Sequence, residues 1–472
     1  MPGGTAYPVN TSLTPQPLFY FPGRYYLVGF LAILLWLPIP VGSATAWGWL
    51  TTTVVLAGLI GLYIRQHTAY ALEILLENRW VIGVWSLLAG WHLILLFPLT
   101  EGMLEWLRPL RAQLAFAEAN DWLALTYSTS DTFTSLLRTL SYWGLFTLTL
   151  LLFRSAARVK LLLRCVAAVG LFEMLYAALP VFLELDRSLV LDLPIEGGAT
   201  GTFLRQIGYG HIVFMALCAV LGLLVIRIKP SAVRTMRQRI RRIVKYFFSK
   251  KAALRIAALL LFGGMVMAGQ YTLIWLGAIA TLLSALAGYL LFSPRPKLFS
   301  TFMLSLLAAN IITIIVATYL ADRATPPPPP IITQEDAQWP HATPDVLEHW
   351  FLGSGPGTAK DGETDQVNLP VSGVLPIAQD DVSQFVAEFG VPVSLLYAGM
   401  FLWCTGCAVM AMARRRHLIF RGAALSCTAA LSGTALLALY DSPLQSPANA
   451  AYVSVMLGLS LVCLQCRKYQ RA

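Results

Sequence analysis

The sequence predicts an all-α, polytopic membrane protein, and three observations carry that reading. Mean hydropathy over the 472 residues is +0.66. Only 12% of them are charged, a share that an ordinary soluble domain of this size does not show. Apolar windows of about 20 residues, the length of a helix that crosses a bilayer, recur from one end of the chain to the other. Taken in order they give about twelve spans, near residues 25–44, 46–64, 80–99, 132–153, 161–183, 205–226, 252–270, 272–292, 299–320, 390–412, 418–440 and 450–466. The apolar run 252–292 is too long for one crossing, so it divides into a hairpin at Gly269 and Gln270. Residues 1–24 are polar, rich in Pro and Thr, and lack a basic end ahead of a short apolar core. The first span is therefore expected to act as its own insertion signal.

The basic residues assign a side to each connection. With the N-terminus inside, about 27 of the 34 Lys and Arg fall on inner segments and about 21 of the 24 Asp and Glu on outer ones, the asymmetry that orients multispanning proteins. Both termini are then cytoplasmic, and the net charge of +10 needs no nucleic acid to explain it. The run RIKPSAVRTMRQRIRRIVKYFFSKK is expected to lie on anionic membrane lipids rather than to form a nucleic-acid or calmodulin-type site. The seven cysteines (Cys165, Cys218, Cys404, Cys407, Cys427, Cys463 and Cys466) lie in apolar segments or at their ends, so no disulfide is expected. The pairs Cys404 and Cys407, and Cys463 and Cys466, share a CxxC spacing but have no further metal ligand nearby, and are read as packing residues.

Three outer connections are long enough for chemistry. The first, 100–131, holds a partly apolar stretch around 103–116 suited to the interface, and the second, 184–205, contains IEGGATGTFLR just ahead of a span. The third, 321–389, lies between the ninth and tenth spans and begins with the proline run 326–330, a stiff spacer. The chain is thus expected to divide into 1–320 with nine spans, an outer loop 321–389 with short amphipathic helices, and 390–472 with the last three spans. The richest stretch closes that loop. It carries the turn Gly353-Ser354-Gly355-Pro356-Gly357-Thr358 and then a helix pattern over 380–389, in which Val382, Phe385, Val386 and Phe389 share one face and Asp381, Gln384 and Glu388 another.

Three places resemble the O-antigen ligase and O-antigen polymerase family, bacterial inner-membrane enzymes that build or attach surface polysaccharides. They are YSTSDTFTSLLRTLSYWGLF running into the fourth span, ATGTFLRQIGYGHIVFMAL opening the sixth, and FLGSGPGT followed by AQDDVSQFVAEFG. Their order and spacing extend the resemblance over roughly 120–412. It implies a GT-C-like membrane fold and a metal-independent, inverting transfer of an undecaprenyl-diphosphate-linked glycan onto a hydroxyl acceptor at the periplasmic face, with no cofactor. The chain departs from the family's pattern in three ways. Leu204-Arg205-Gln206-Ile207 stands where Asn-Arg-Asn is usual, Gly269-Gln270 where Ser-Arg is common, and Gln379 where the family has its late histidine.

Such a transfer needs a cation for the diphosphate leaving group and a base beside the acceptor oxygen. Arg205 is the leading cation and Arg138 the second, because a guanidinium pairs with phosphate in a planar fork and keeps its charge. The alternative for Arg205 is an interfacial arginine reaching headgroups. Gln270 and Gln379 occupy family substrate-binding positions, and Gly355 and Gly357 offer backbone N–H groups to phosphate or simply form a turn. Asp381 and Asp380 are the candidate bases, Asp380 doubling as a helix cap, and the helix dipole is expected to depress their pKa. His349, with His341 upstream in the same loop, is the further candidate base if the loop folds back, and His211 and Glu173 lie within spans. No metal-ligand pattern and no phosphate loop of the nucleotidase type is visible. Two other functions stay open: a transporter of a lipid-linked substrate, and a non-catalytic subunit working with other polysaccharide-assembly proteins.

Overall fold

The computed structural model describes residues 24–107, 123–183, 185, 187–188, 191, 198–226, 250–287, 351–358 and 380–466. Outside them lie the expected ninth span, the proline run, most of the basic run 227–251, His341, His349 and Gln379. The elements among the described residues are helices: α1 (Arg24–Trp36), α2 (Ala46–Gln66), α3 (Thr68–Glu77), α4 (Arg79–Leu96), α5 (Glu101–Leu107), α6 (Thr129–Leu152), α7 (Ala156–Phe182), α8 (Gln206–Ile226), α9 (Lys250–Met267), α10 (Tyr271–Ala287), α11 (Asp381–Phe389), α12 (Val391–Arg414), α13 (Leu418–Leu437) and α14 (Pro447–Gln465). Eight of these, α2, α4, α6, α7, α8, α12, α13 and α14, are long and apolar enough to cross a membrane. Large apolar side chains such as Trp80, Phe182, Leu402 and Trp403 stand exposed on the outside of the bundle, as lipid contact requires. The described residues form helices and no strand, and the chain is membrane-embedded.

Burial follows composition. Helix α8 has no polar face, and every residue from Ile207 to Val225 is buried, so it forms the centre, packed by α7, α9 and α13. Helix α14 is buried almost as completely, between α6, α12 and α13. Helices α8 and α13 cross closely because glycines face each other there: a methyl group on Gly222 would lie 2.4 Å from the Gly422 carbonyl oxygen.

The structure departs from the sequence reading at two connections. The expected first span stops as a helix at Trp36, because Pro38 and Pro40 cannot continue it, and the chain turns through Val41, Gly42 and Ser43 at φ of 55°, 61° and 59°. The inner segment 65–79, read as a loop, forms α3: its sequence TAYALEILLE has no Gly or Pro, and Ala71 and Ile74 bury a face. The hairpin of α9 and α10 turns at 268–270, where Gly269 takes φ of 72°. All seven cysteines are free.

Candidate functional site

One end of the bundle, called the outer end after the charge count, gathers most of the sequence candidates. Its frame is the short connection from α13 to α14, residues 438–446, which contains a 3-10 turn at Pro443–Gln445. Helix α11 docks on this turn by backbone hydrogen bonds, Asp381 N–H to the Asp441 carbonyl at 3.2 Å and Val382 N–H to that of Ala438 at 3.2 Å. Asn449, buried in the first turn of α14, holds the turn from below by donating to the Pro443 carbonyl at 2.9 Å and to that of Gly208 at 2.9 Å.

The two adjacent aspartates have different fates. Asp380 is the N-cap: its Oδ2 accepts the Ser383 N–H at 2.9 Å and its Oδ1 the Ser383 hydroxyl at 2.6 Å. Asp381 is buried, and its Oδ2 accepts the Leu444 N–H at 2.8 Å. Among the described residues its Oδ1 accepts no hydrogen bond. Burial pushes the Asp381 carboxyl up to about 8; the Leu444 N–H pulls it back, the neighbouring Asp441 and Asp380 raise it, and the Arg205 guanidinium lowers it. The expectation of a depressed pKa is thereby corrected. The helix-end dipole is outweighed by loss of water around a carboxylate that has two acidic neighbours.

Arg205 reaches the same turn from the other side. Its Nη1 donates to Ser442 Oγ at 2.9 Å and to Gln445 Oε1 at 2.6 Å, while Nε and Nη2 have no hydrogen-bond partner among the described residues. Gln445 in turn donates to Gln384 Oε1 at 3.1 Å, on the helix that bears Asp381. The segment that delivers Arg205 is not helical, and each residue of Gly201-Thr202-Phe203 has a reason to be there. Gly201 sits at φ of 60°, and a methyl group on it would come within 2.8 Å of Glu173 Oε2. Thr202 donates its N–H to Glu173 Oε2 at 3.1 Å; its hydroxyl lies 2.7 Å from the Pro38 carbonyl and 3.0 Å from Glu173 Oε1. Phe203 is buried, and its ring would lie 2.6 Å from a methyl group on Gly42. Glu173, deep in α7, is thus the anchor of the Arg205 segment; irregular backbone at that depth is tolerable only when its polar groups are met by protein.

Gln270 lies beside this cluster, donating to Gln206 Oε1 at 3.3 Å, one residue from Arg205. The glycine turn does not join it. Ser354 N–H donates to the Ala387 carbonyl at 2.8 Å and Gly355 N–H to that of Glu388 at 3.1 Å, at the opposite end of α11, about 10 Å from Asp381 at 1.5 Å per residue. Gly355 is buried, and a methyl group there would lie 2.0 Å from Thr126 Oγ1; one on Gly357 would lie 2.9 Å from the Asp131 carbonyl oxygen. The expectation that Gly355 offers its N–H to phosphate is corrected on that ground, and Gly357 is exposed on the turn. The Gly355 N–H is already spent, and the turn serves to wedge α11 against the loop before α6.

Arg138 also stands apart, on α6, with its guanidinium carbon 5.4 Å from the centre of the Trp49 ring. His211 is fully buried in α8, its Nε2 2.8 Å from Thr434 Oγ1, with Asn449 beside it. Among the described residues no group of His, Cys, Asp and Glu is arranged to hold a metal ion.

Sequence reasoning missed Ser442, Leu444, Gln445 and Asn449. The signal was present in DSPLQSP: two prolines, each opening a helical turn, with polar residues between them, mark a structured turn rather than slack. Neither the family models nor the curated proteins contain a match to this chain.

Proposed function

We propose that this protein is a membrane glycan transferase of the O-antigen ligase and polymerase kind. It spans the bacterial inner membrane about twelve times with both termini cytoplasmic, and works on an undecaprenyl-diphosphate-linked donor at the periplasmic face. One observation carries the reading: Arg205 and Asp381, far apart in sequence, converge on the single turn 441–446. The acceptor hydroxyl gives its proton to Asp381 Oδ1 as its oxygen bonds to the anomeric carbon on the face opposite the diphosphate. The carbon–oxygen bond to the diphosphate breaks, and the departing oxygen keeps the electron pair. Arg205, through Nε and Nη2, neutralises the charge that accumulates there. A base poised near neutral pH suits this task, since it is strong enough to take the proton and is still ionised in a useful fraction of molecules.

The test is to replace Arg205→Gln and Asp381→Asn separately in a strain whose surface polymer is measured, following the amount of inserted protein alongside. Each change is expected to abolish polymer with the protein still inserted. Wild-type polymer from both variants would discard the reading. The second reading, a non-catalytic subunit of a polysaccharide-assembly machine, is favoured by one observation: Gln270, where the family has arginine, is satisfied by Gln206 and adds no cation to the cluster.

A further inference from the structure

We propose that Arg138 and Trp49 form a second anion site, separate from Arg205 and Asp381, that holds the phosphate of a lipid in the outer leaflet. Arg138 lines a narrow crevice between α2, α6 and the start of α14, with Trp49, Tyr142, Leu145, Pro447 and Ala451 around it. Its Nε is buried without a hydrogen-bond partner, and among the described residues neither a carboxylate nor a carbonyl oxygen meets any nitrogen of the guanidinium. Three other arginines near the helix ends differ. Arg154 lies 3.5 Å from Glu77, Arg421 donates to the Met412 carbonyl, and Arg205 is held by two side chains. A guanidinium partly withdrawn from water with only a ring beneath it is costly unless an anion completes the shell.

Place and shape specify the anion. Trp49 lies three residues into α2 at its outer end, and the exposed Trp36 and Trp47 stack edge to face nearby, 5.8 Å between centroids, as aromatic residues do at headgroup level. Trp49 covers one face of the guanidinium, so a ligand meets the planar N–H edge, whose fork matches phosphate oxygens. The hydroxyls of Ser43, Thr52, Thr53 and Ser141, which also line the crevice, are spent on backbone carbonyls, and the space holds about one water molecule, so the phosphate sits at the mouth and its acyl or prenyl chain runs along the apolar flank outside. A wall separates this mouth from Arg205. Ser446 donates to the Gly42 carbonyl at 3.1 Å, and the Phe203 ring fills the space above Gly42.

The experiment is native mass spectrometry of the full chain in mild detergent, delipidated and then titrated with phosphatidylglycerol, undecaprenyl phosphate or diacylglycerol. Wild-type protein is expected to bind one phosphate-bearing lipid at least tenfold more tightly than diacylglycerol. The Arg205→Gln protein, in which the proposed donor site is gone, should keep that preference, and Arg138→Gln made in that background should lose it. A preference for phosphatidylglycerol or for undecaprenyl phosphate supports the site and identifies which lipid it serves. Equal binding of diacylglycerol, or an unchanged preference once Arg138→Gln is added, overturns it. Should Arg138→Gln fail to give monodisperse protein, Trp49→Leu in the same background and the comparison of lipids on the Arg205→Gln protein decide in its place. Transfer activity enters none of these readouts, so this inference and the proposed function fail independently.

Discussion

The arginines at the two ends of the bundle are used differently. At the inner end four of them are fastened to backbone. Arg154 Nε donates to the Leu150 carbonyl at 3.0 Å, Arg158 Nη1 to that of Leu152 at 2.9 Å, Arg421 Nε to that of Met412 at 3.0 Å, and Arg415 to that of Leu464. The carbonyls of Leu150, Leu152, Met412 and Leu464 belong to last turns, which have no intrahelical donor, so these cations act as caps. At the outer end, Arg205 is held only by the exchangeable side chains of Ser442 and Gln445, and Arg138 by a ring. A cation tied to backbone is a structural part, whereas one tied to neutral side chains can be traded to a ligand at small cost. The comparison identifies which arginines are available for chemistry more sharply than charge counting does.

The largest effect that would break the contrast is loss of function from the outer pair. Arg205→Gln or Asp381→Asn is expected to lower polymer formation by about 10² to 10⁴-fold at constant protein level, whereas Arg421→Gln should lower the amount of inserted protein and leave polymer per molecule unchanged. Quantitative blotting beside polymer measurement checks both. Next is pH. With the Asp381 carboxyl raised to about 8, the ionised base grows about tenfold per pH unit below that point, so transfer in membrane vesicles should rise from pH 6 to pH 8 and then level. A flat profile would remove Asp381 as base.

A smaller effect concerns the anchor. Glu173→Gln keeps groups for Thr202 and should retain most activity, while Glu173→Ala leaves the Thr202 N–H unmet and should cost on the order of 1–3 kcal/mol, with Arg205 misplaced. Thermal melting together with polymer yield reads both parts. The last effect is on stability and not on rate. Because the folded Asp381 is raised from 3.8 to about 8, the stability it lends is complete below pH 4 and is lost as pH rises towards 8. Asp381→Asn, which does not ionise, should melt progressively higher than wild type across that window, and a pH-independent difference would show that Asp381 is not desolvated as described.

The helical class was legible because hydropathy is a sum over many residues, and nearly every apolar window in the described region became a helix at its expected place. Asp380 and Asp381 illustrate what sequence does not carry. Both sit at a helix start, and only the packing of 441–446 over one of them decides that Asp380 is a solvated cap and Asp381 a desolvated acid. Arg205 was legible as a lone outer cation beside glycines, but its partners were not, since Ser442 and Gln445 come from a connection more than 200 residues later. The glycine turn misled for a related reason. Gly353, Gly355 and Gly357 have positive φ, as a phosphate loop would require, yet close approach of the Glu388 carbonyl and Thr126 requires the same residue type.

Helix α11 is clamped at both tips, by 438–444 at its start and by 353–355 at its finish, and Gly390 joins it to α12 with no intervening slack. Nine residues held in this way behave as a strut between parts of the chain remote in sequence. A carboxylate on a strut keeps its aim, so the direction in which Asp381 Oδ1 faces is set by the two clamps and not by any give within α11.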